Sequence, residues 1–186
     1  MTLRGLVRSY FVRGFISVDD ARSGLWTTSV SAATYADVNE KYQAAILEQY
    51  KIYVEAADRI SARRGMSNTF FLTVNTAIFS ALSFVGGIRS ENHWAYAALL
   101  LVLLVQCSAW FWILKSFRQL SSAKFRVIGA LEERLPASPF WRAEWKAIGE
   151  GKDKSRYWPV SQLEQWIPCA FALAYVLGFL IILVVD

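Results

Sequence analysis

Three long runs without a charged side chain constrain the fold of this chain more than any other feature. The first covers residues 69–88, and the others cover residues 93–114 and 166–185. A helix needs about 20 apolar residues to cross the roughly 30 Å of hydrocarbon in a bilayer, at about 1.5 Å per residue. Because each run has about this length, we predict three transmembrane helices. The 55% hydrophobic content of the chain agrees with a membrane protein.

Residues 39–68, which precede the first predicted span, have the pattern of an amphipathic helix. Apolar residues recur at steps of four, three, four and three, which places them on one helical face: Ile46, Tyr50, Tyr53, Ala57 and Ile60. Charged residues occupy the other faces as far as Arg63 and Arg64, where we place the edge of the membrane. No proline intervenes and the lone Gly65 costs only about 1 kcal/mol, so this helix is expected to continue into the span.

The second span is expected to continue beyond the membrane as an amphipathic helix over residues 115–135, ending before Pro136. Three residues of its apolar stripe are predicted to pack: Leu120, Val127 and Leu131. Because the turn at residues 89–92 is so short, the two spans must form an antiparallel hairpin, and both extensions leave the membrane on the same side. We predict that they pack as an antiparallel cytoplasmic stalk. Glu132 and Glu133 are interpreted as part of its solvated face.

The remaining segments are predicted to be peripheral. Residues 1–38 form a leader, for which a basic amphipathic helix on the membrane surface and a loosely ordered start both stay open. Its second part, residues 25–38, is rich in Ser, Thr and Ala, as in a linker. Residues 136–165 are expected to form a short cytoplasmic helix and a loop. Four basic residues of this segment are predicted to contact lipid headgroups: Lys146, Lys152, Lys154 and Arg156.

The distribution of basic residues sets the predicted orientation. Nine Lys or Arg precede residue 69, ten lie in residues 115–166, and only Arg89 lies between the first two spans. The positive-inside rule therefore places the N-terminus, the stalk and the loop before the third span in the cytoplasm. The C-terminus then lies outside, on the periplasmic face of a bacterial inner membrane, and this multi-pass topology agrees with an odd number of spans.

Hydroxyl-bearing residues follow the first span at steps of four, three, four and three. They are Thr69, Thr73, Thr76, Ser80 and Ser83. Two interpretations stay open for this Ser/Thr seam, namely close packing between helices of neighbouring copies and the lining of a pore. Asn75 and Gln106 are the strongest polar groups predicted inside the spans, and an amide in lipid needs a partner on a neighbouring helix.

The sequence argues against several functional classes. It has a single histidine, His93, and no zinc spacing, phosphate-binding loop or nucleophile motif, so we predict no enzyme activity, no metal and no cofactor. Cys107 and Cys169 both fall inside predicted spans and do not suggest a disulfide. No ionisable residue lies at the centre of a span, which argues against a proton relay. Basic and acidic residues are interleaved, so nucleic acid is not an expected partner despite the net charge of +5.

Three stretches of the chain resemble the RipA family of small bacterial cytoplasmic-membrane proteins. They are EQYKIYVEAADRISARRGMSNTFFLTVNTAIFSAL over residues 48–82, SFRQLSSAKFRVIGALEERLPASPF over residues 116–140, and EWKAIGEGKDKSRYWPVSQLEQWIP over residues 144–168. The resemblance implies an all-helical inner-membrane protein that assembles as a homo-octamer, with a role in stress adaptation and no catalytic activity. A weaker likeness, in layout alone, is to the two-span effector modules of bacterial defence systems, from which the third span departs.

Together these patterns predict an all-α membrane protein with three transmembrane helices, the first two extended into the stalk. Its expected partners are the lipid bilayer and further copies of the chain, and an unidentified membrane or cytoplasmic protein is left open. The predicted function is a non-enzymatic homo-oligomeric scaffold or regulator in envelope or stress adaptation. The alternative is an oligomeric pore or channel lined by the Ser/Thr seam, as in a defence effector.

Overall fold

The computed structural model describes residues 18–26, 33, 39–84, 93–148 and 160–185. In these residues the secondary structure is helical and contains no β-strand, so the all-α class expected from the sequence is confirmed. The elements in chain order are α1 (Val18–Leu25), α2 (Asn39–Phe84), α3 (His93–Glu132), a π-helical turn (Pro139–Glu144), α4 (Trp145–Ala147), α5 (Val160–Glu164) and α6 (Trp166–Val185).

Helix α2 has 46 residues and runs without a break through Gly65. A Cβ built at Gly65 would meet no atom within 4 Å, so close packing does not require a glycine there. No proline falls inside α2, and its backbone amides beyond the first turn can therefore bond four residues back. Residues 69–84 of the predicted first span thus belong to the same helix as the amphipathic segment that precedes them.

Among the described residues, two helices are long and apolar enough to cross a membrane, by length and composition. They contain the stretch Trp94–Glu132 in α3 and the stretch Trp166–Val184 in α6. The described part of the predicted first span, residues 69–84, is shorter than the roughly 20 residues that a helix needs to cross a bilayer. Residues 85–88 lie outside the described part of the chain. A span over residues 69–88 and the stalk therefore stay predictions.

The chain divides into two compact units. The first contains Met1–Ala57 and Ser122–Lys152, and the second contains Asp58–Ser121 and Asp153–Asp186. Both α2 and α3 therefore supply residues to each unit.

In the first unit the buried apolar side chains come from α2 and the end of α3. They are Ile46, Ala57, Ile128, Ala130 and Leu131, each at most 5% exposed. Tyr50, Tyr53 and Val127 are half-buried. The Lys124 ammonium lies 4.5 Å from the centre of the Tyr53 ring, so the stem of this lysine covers an aromatic face that would otherwise contact water.

The core of the second unit combines α2, α3 and α6. Its central cluster is Leu103, Cys107 and Tyr175, against which Ile78, Leu100, Phe171 and Ala172 pack. Trp110 is fully buried and stacks on Phe71, with ring centres 5.7 Å apart. Two residues of the predicted stalk stripe belong to this unit: Ile60 is half-buried, whereas Leu120 is 47% exposed.

Helix α3 ends at Glu132, earlier than the predicted end at Leu135. The chain leaves the helix through a tighter bond, in which the Leu135 amide donates to the Glu132 carbonyl at 3.1 Å. Pro136 explains the early end, because it lacks an amide hydrogen and its ring disfavours a helical conformation for the residue before it.

Candidate functional site

The deepest polar group of the second unit is the side chain of Asn75 on α2, which is 0% exposed. Its Nδ2 donates to the Phe71 carbonyl at 2.8 Å, and its Oδ1 accepts a hydrogen bond from the Tyr175 hydroxyl of α6 at 3.0 Å. The thiol of Cys107 on α3 lies 3.9 Å from the same oxygen. Three helices thus meet at one amide, and sliding one of them would break these bonds. We call Asn75, Cys107 and Tyr175 the amide cluster.

A layer of aromatic rings lies beside the amide cluster. Trp110 donates from Nε1 to the Asn68 side-chain oxygen at 3.2 Å, so its only polar atom is satisfied although the residue is fully buried. The Phe171 ring of α6 lies 6.0 Å from Trp110 and 6.3 Å from Tyr175, centre to centre. The indole therefore connects α2, α3 and α6 by stacking, in addition to the hydrogen bonds of the amide cluster.

The Ser/Thr seam faces away from this core. Its described side chains, on Thr69, Thr73, Thr76 and Ser80, are all exposed, whereas Asn75 on the same helix is buried. The side chain of Ser83 lies outside the described part. Gln106 on α3 is half-buried, and within the described residues no hydrogen bond engages its amide. Asn75 therefore finds its partners inside the protomer, whereas among the described residues the seam side chains and Gln106 have no such hydrogen bond.

The end of α5, just before the start of α6, is attached to α2 and α3 by two side-chain contacts at the consecutive residues Glu164 and Gln165. The Arg64 Nε of α2 lies 3.3 Å from a carboxylate oxygen of Glu164, and Arg118 of α3 donates from Nη1 to the Gln165 side-chain oxygen at 3.0 Å. The side chains of Arg64 and Glu164 are only 21% and 17% exposed. These contacts place two guanidinium groups from different helices beside one short segment.

In the first unit, the carboxylate of Glu132 is 1% exposed and surrounded by four hydrogen-bond donors. Its Oε1 accepts from the Tyr50 hydroxyl at 3.1 Å and the Phe140 amide at 3.0 Å. Its Oε2 accepts from the Ser138 hydroxyl at 2.6 Å and the Trp141 amide at 2.9 Å. Each oxygen thus receives one hydroxyl and one backbone amide. We call this arrangement the Glu132 cluster.

The interpretation of Glu132 as a solvated residue is therefore wrong. After α3 ends, the chain reverses, and the first amides of the π-helical turn, which lack partners within their own helix, are directed at this carboxylate. Gly129 permits the approach, because a Cβ there would lie 2.8 Å from the Trp141 ring. Burial raises the pKa of Tyr50 to about 12, and its hydrogen bond to Glu132 acts in the same direction.

Glu133 and Arg134, the next two residues, hold the N-terminal segment. Arg22 of α1 donates to both oxygens of Glu133, at 2.8 and 2.6 Å, and these hydrogen bonds lower the pKa of Glu133. The Arg134 guanidinium lies 3.4 Å from the centre of the Trp26 ring and donates to the Tyr42 hydroxyl at 2.7 Å. Residues 18–26 of the predicted leader thus contact the end of α3. The rest of the leader, except residue 33, lies outside the described part.

The predicted headgroup-contact residues are only partly within the described chain. Lys146, in the short helix α4, is exposed. The other three lie outside the described residues: Lys152, Lys154 and Arg156. Within the described residues, no group of three or more His, Cys, Asp or Glu side chains is placed to hold a metal ion.

The sequence patterns did not predict which groups form hydrogen bonds with Asn75 and with Glu132. Tyr175 is the only hydroxyl-bearing side chain in α6, and this isolation within an aliphatic helix was a usable signal for a buried hydrogen bond to Asn75. Glu132 gave no such signal, because its donors come from a chain reversal that periodicity does not reveal. Both clusters engage their polar atoms in hydrogen bonds between segments, so their chemistry is to fix helices in place.

The comparison with protein families identifies the family of this chain, which the geometry alone does not. The sequence model of the octameric membrane protein family matches residues 47–184. The chain belongs to this family. The match extends from α2 to the end of α6 and so includes the amide cluster and the Glu132 cluster. The family resemblance carried by residues 48–82, 116–140 and 144–168 is thereby confirmed. No curated protein and no solved structure gives a significant match.

Membership of an octameric membrane protein family supports two conclusions. The protein is a membrane protein, and among its described helices α3 and α6 have the length and composition to cross a bilayer. The protein is a membrane homo-oligomer, so surfaces exposed in the single protomer include those that contact other copies.

Proposed function

We propose that this protein is a non-enzymatic octamer of the bacterial inner membrane that acts as a scaffold or regulator in envelope or stress adaptation. In this proposal, residues 69–88 form a third span, and the copies meet through the Ser/Thr seam of α2. The N-terminus lies in the cytoplasm and the C-terminus in the periplasm. The observation that carries the proposal is the exposure of the seam in a protomer whose buried amide is already satisfied.

The exposed hydroxyls are a poor surface to present to lipid. Along residues 69–84 of α2, threonine and serine interrupt the apolar sequence, whereas α3 and α6 contain longer apolar runs. Small and hydroxylated residues instead let helices approach closely and bond across the contact, at about 0.6 kcal/mol per bond on average. In this proposal the neighbouring helix is α2 of a second copy, which is in keeping with membership of an octameric family.

Native mass spectrometry of the full chain in mild detergent tests this arrangement. The wild type should give an assembly of eight copies, and Thr76→Leu together with Ser80→Leu should shift it towards smaller species. Ser108→Leu is the matched control, because Ser108 is also exposed but lies on α3 and donates to the Leu104 carbonyl at 2.7 Å. Equal loss of the octamer in both variants would contradict assembly through the seam.

A second candidate function is an oligomeric pore, favoured by the same row of exposed hydroxyls. A pore lining faces water at the centre of the octamer, so filling it with leucine at Thr76 should reduce conductance in planar bilayers while the octamer persists. Loss of the octamer with that change would instead support packing. An octamer without conductance at any voltage would leave the scaffold as the better account.

A further inference from the structure

The contacts just before the start of α6 lie where each long helix changes from charged to apolar sequence. Arg64 is the last charged residue of α2 before the uncharged run, and Lys115 is the first after the run in α3. Two tryptophans accompany them: Trp112 is 41% exposed and Trp166 is 71% exposed. Exposed indoles at the ends of apolar helices are typical of the headgroup layer of a bilayer. The geometry therefore places these charges at the depth of lipid phosphates.

Among the described charged groups of this segment, basic side chains outnumber acidic ones. Arg64 and Arg118 contact Glu164 and Gln165, and only the first of these neighbours is an acid. Among the described residues, the partner of Arg118 is thus a neutral amide. Lys115 lies one turn away on the same face of α3 and contacts the Trp112 ring at 4.6 Å, which adds another positive charge.

The ion pair of Arg64 is also incompletely satisfied. The Nε of Arg64 and the facing oxygen of Glu164 are both buried and lie 3.3 Å apart, which is an ion pair. Neither atom makes a hydrogen bond within the described chain. This Nε is too enclosed to reach a ligand, but within the described residues no hydrogen bond engages the two Nη groups of Arg64, so these donors are available to a phosphate.

We propose that Arg64 and Arg118 bind the phosphate group of an anionic phospholipid just before the start of α6. A guanidinium presents a planar fork of donors that matches phosphate oxygens, and two forks from different helices can engage one phosphate. Basic pockets between membrane helices on the cytoplasmic side are a recognised setting for anionic headgroups. These residues are separate from Lys146 and its neighbours, and the proposal does not depend on how the copies assemble.

Lipid retention by the full chain in detergent tests the proposal. Native mass spectrometry should show that each copy retains phosphatidylglycerol in preference to phosphatidylcholine, whichever oligomer is present. Arg118→Gln and Arg64→Gln should each weaken retention by about tenfold or more, because each removes charge-assisted hydrogen bonds to phosphate. Arg63→Gln is the matched control, since Arg63 carries the same charge at an exposed position beside Arg64.

A further variant and a competitor make the result decisive. Arg118→Lys keeps the charge and the fold but loses the planar fork, so an intermediate loss of retention would support bidentate binding. Equal loss with Arg63→Gln, or equal retention of the two lipids by the wild type, would overturn the site. Displacement of phosphatidylglycerol by equimolar glycerol phosphate would overturn the assignment to a lipid in favour of a soluble phosphate.

Discussion

Replacing Glu132 by Gln tests whether the four donors of the Glu132 cluster require a carboxylate. The change preserves shape but converts one acceptor oxygen into an NH2 donor. Because each oxygen of Glu132 receives one hydroxyl and one backbone amide, either orientation of Gln directs this NH2 at a backbone amide, of Phe140 or of Trp141. The hydroxyl on that side, of Tyr50 or Ser138, can rotate and accept instead, but the amide cannot.

The expected cost follows from this count. One buried amide without an acceptor costs about 1–3 kcal/mol, and the remaining bonds lose the strength that a charged acceptor gives them. We therefore expect Glu132→Gln to destabilise the π-helical turn by about 2 kcal/mol, which corresponds to roughly 30-fold in an opening equilibrium.

Hydrogen–deuterium exchange followed by mass spectrometry measures this effect directly. Peptides that cover residues 138–148 should exchange roughly 30-fold faster in Glu132→Gln than in the wild type. Glu133→Gln is the matched control, because it makes the same chemical change at the next residue, which is exposed. Equal exchange in the two variants would refute the conclusion that the buried carboxylate stabilises this turn.

Three further predictions concern the first unit. Gly129→Ala should lower the free energy of unfolding by about 1–3 kcal/mol, because the new Cβ would lie 2.8 Å from the Trp141 ring and displace it. Thermal unfolding in detergent measures this loss. The pKa of Tyr50 is raised from 10.0 to about 12, so the stability it contributes is present below pH 10 and lost as pH rises towards 12; Tyr50→Phe should lack this alkaline loss. The pKa of Glu133 is lowered from 4.5 by hydrogen bonds from Arg22, so the stability that this pair gives to docked α1 is present above pH 4.5 and lost as pH falls through the lowered pKa. Amide protection of residues 18–25, corrected for the intrinsic exchange rate, should decrease over that range, and protection independent of pH would contradict the role of this ion pair.

Helix content was predictable from the helical spacing of apolar residues, and the burial of Asn75 was predictable from its apolar neighbours. Ile46 and Ala57 belong to the set of apolar residues at helical spacing on α2, and both side chains are buried. Asn75 stands out as an amide among apolar neighbours, and lipid gives such a group no alternative to a protein partner. Its partner Tyr175 is 100 residues away in the sequence, and no local pattern connects them.

The environment of Glu132 was not predictable, for a physical reason. A glutamate beside another glutamate on an amphipathic helix is normally solvated, and only the chain reversal after Pro136 brings the amides of Phe140 and Trp141 to it. Leu120 lies on the predicted packed stripe by helical spacing but is nearly half exposed in the single protomer, so its packing stays a prediction. Periodicity indicates which residues share a face, whereas the partner that covers each part of the face depends on the tertiary fold.

The pairing of Arg22 with Glu133 has a consequence for the order of biosynthesis. The two residues are 111 positions apart, so at about 5–20 residues per second the ribosome needs roughly 5–20 s to supply the partner of α1. A helix of eight residues is too short to persist alone in water. Helix α1 therefore acquires its structure only after α3 has been synthesised, and until then its residues are open to targeting factors and proteases.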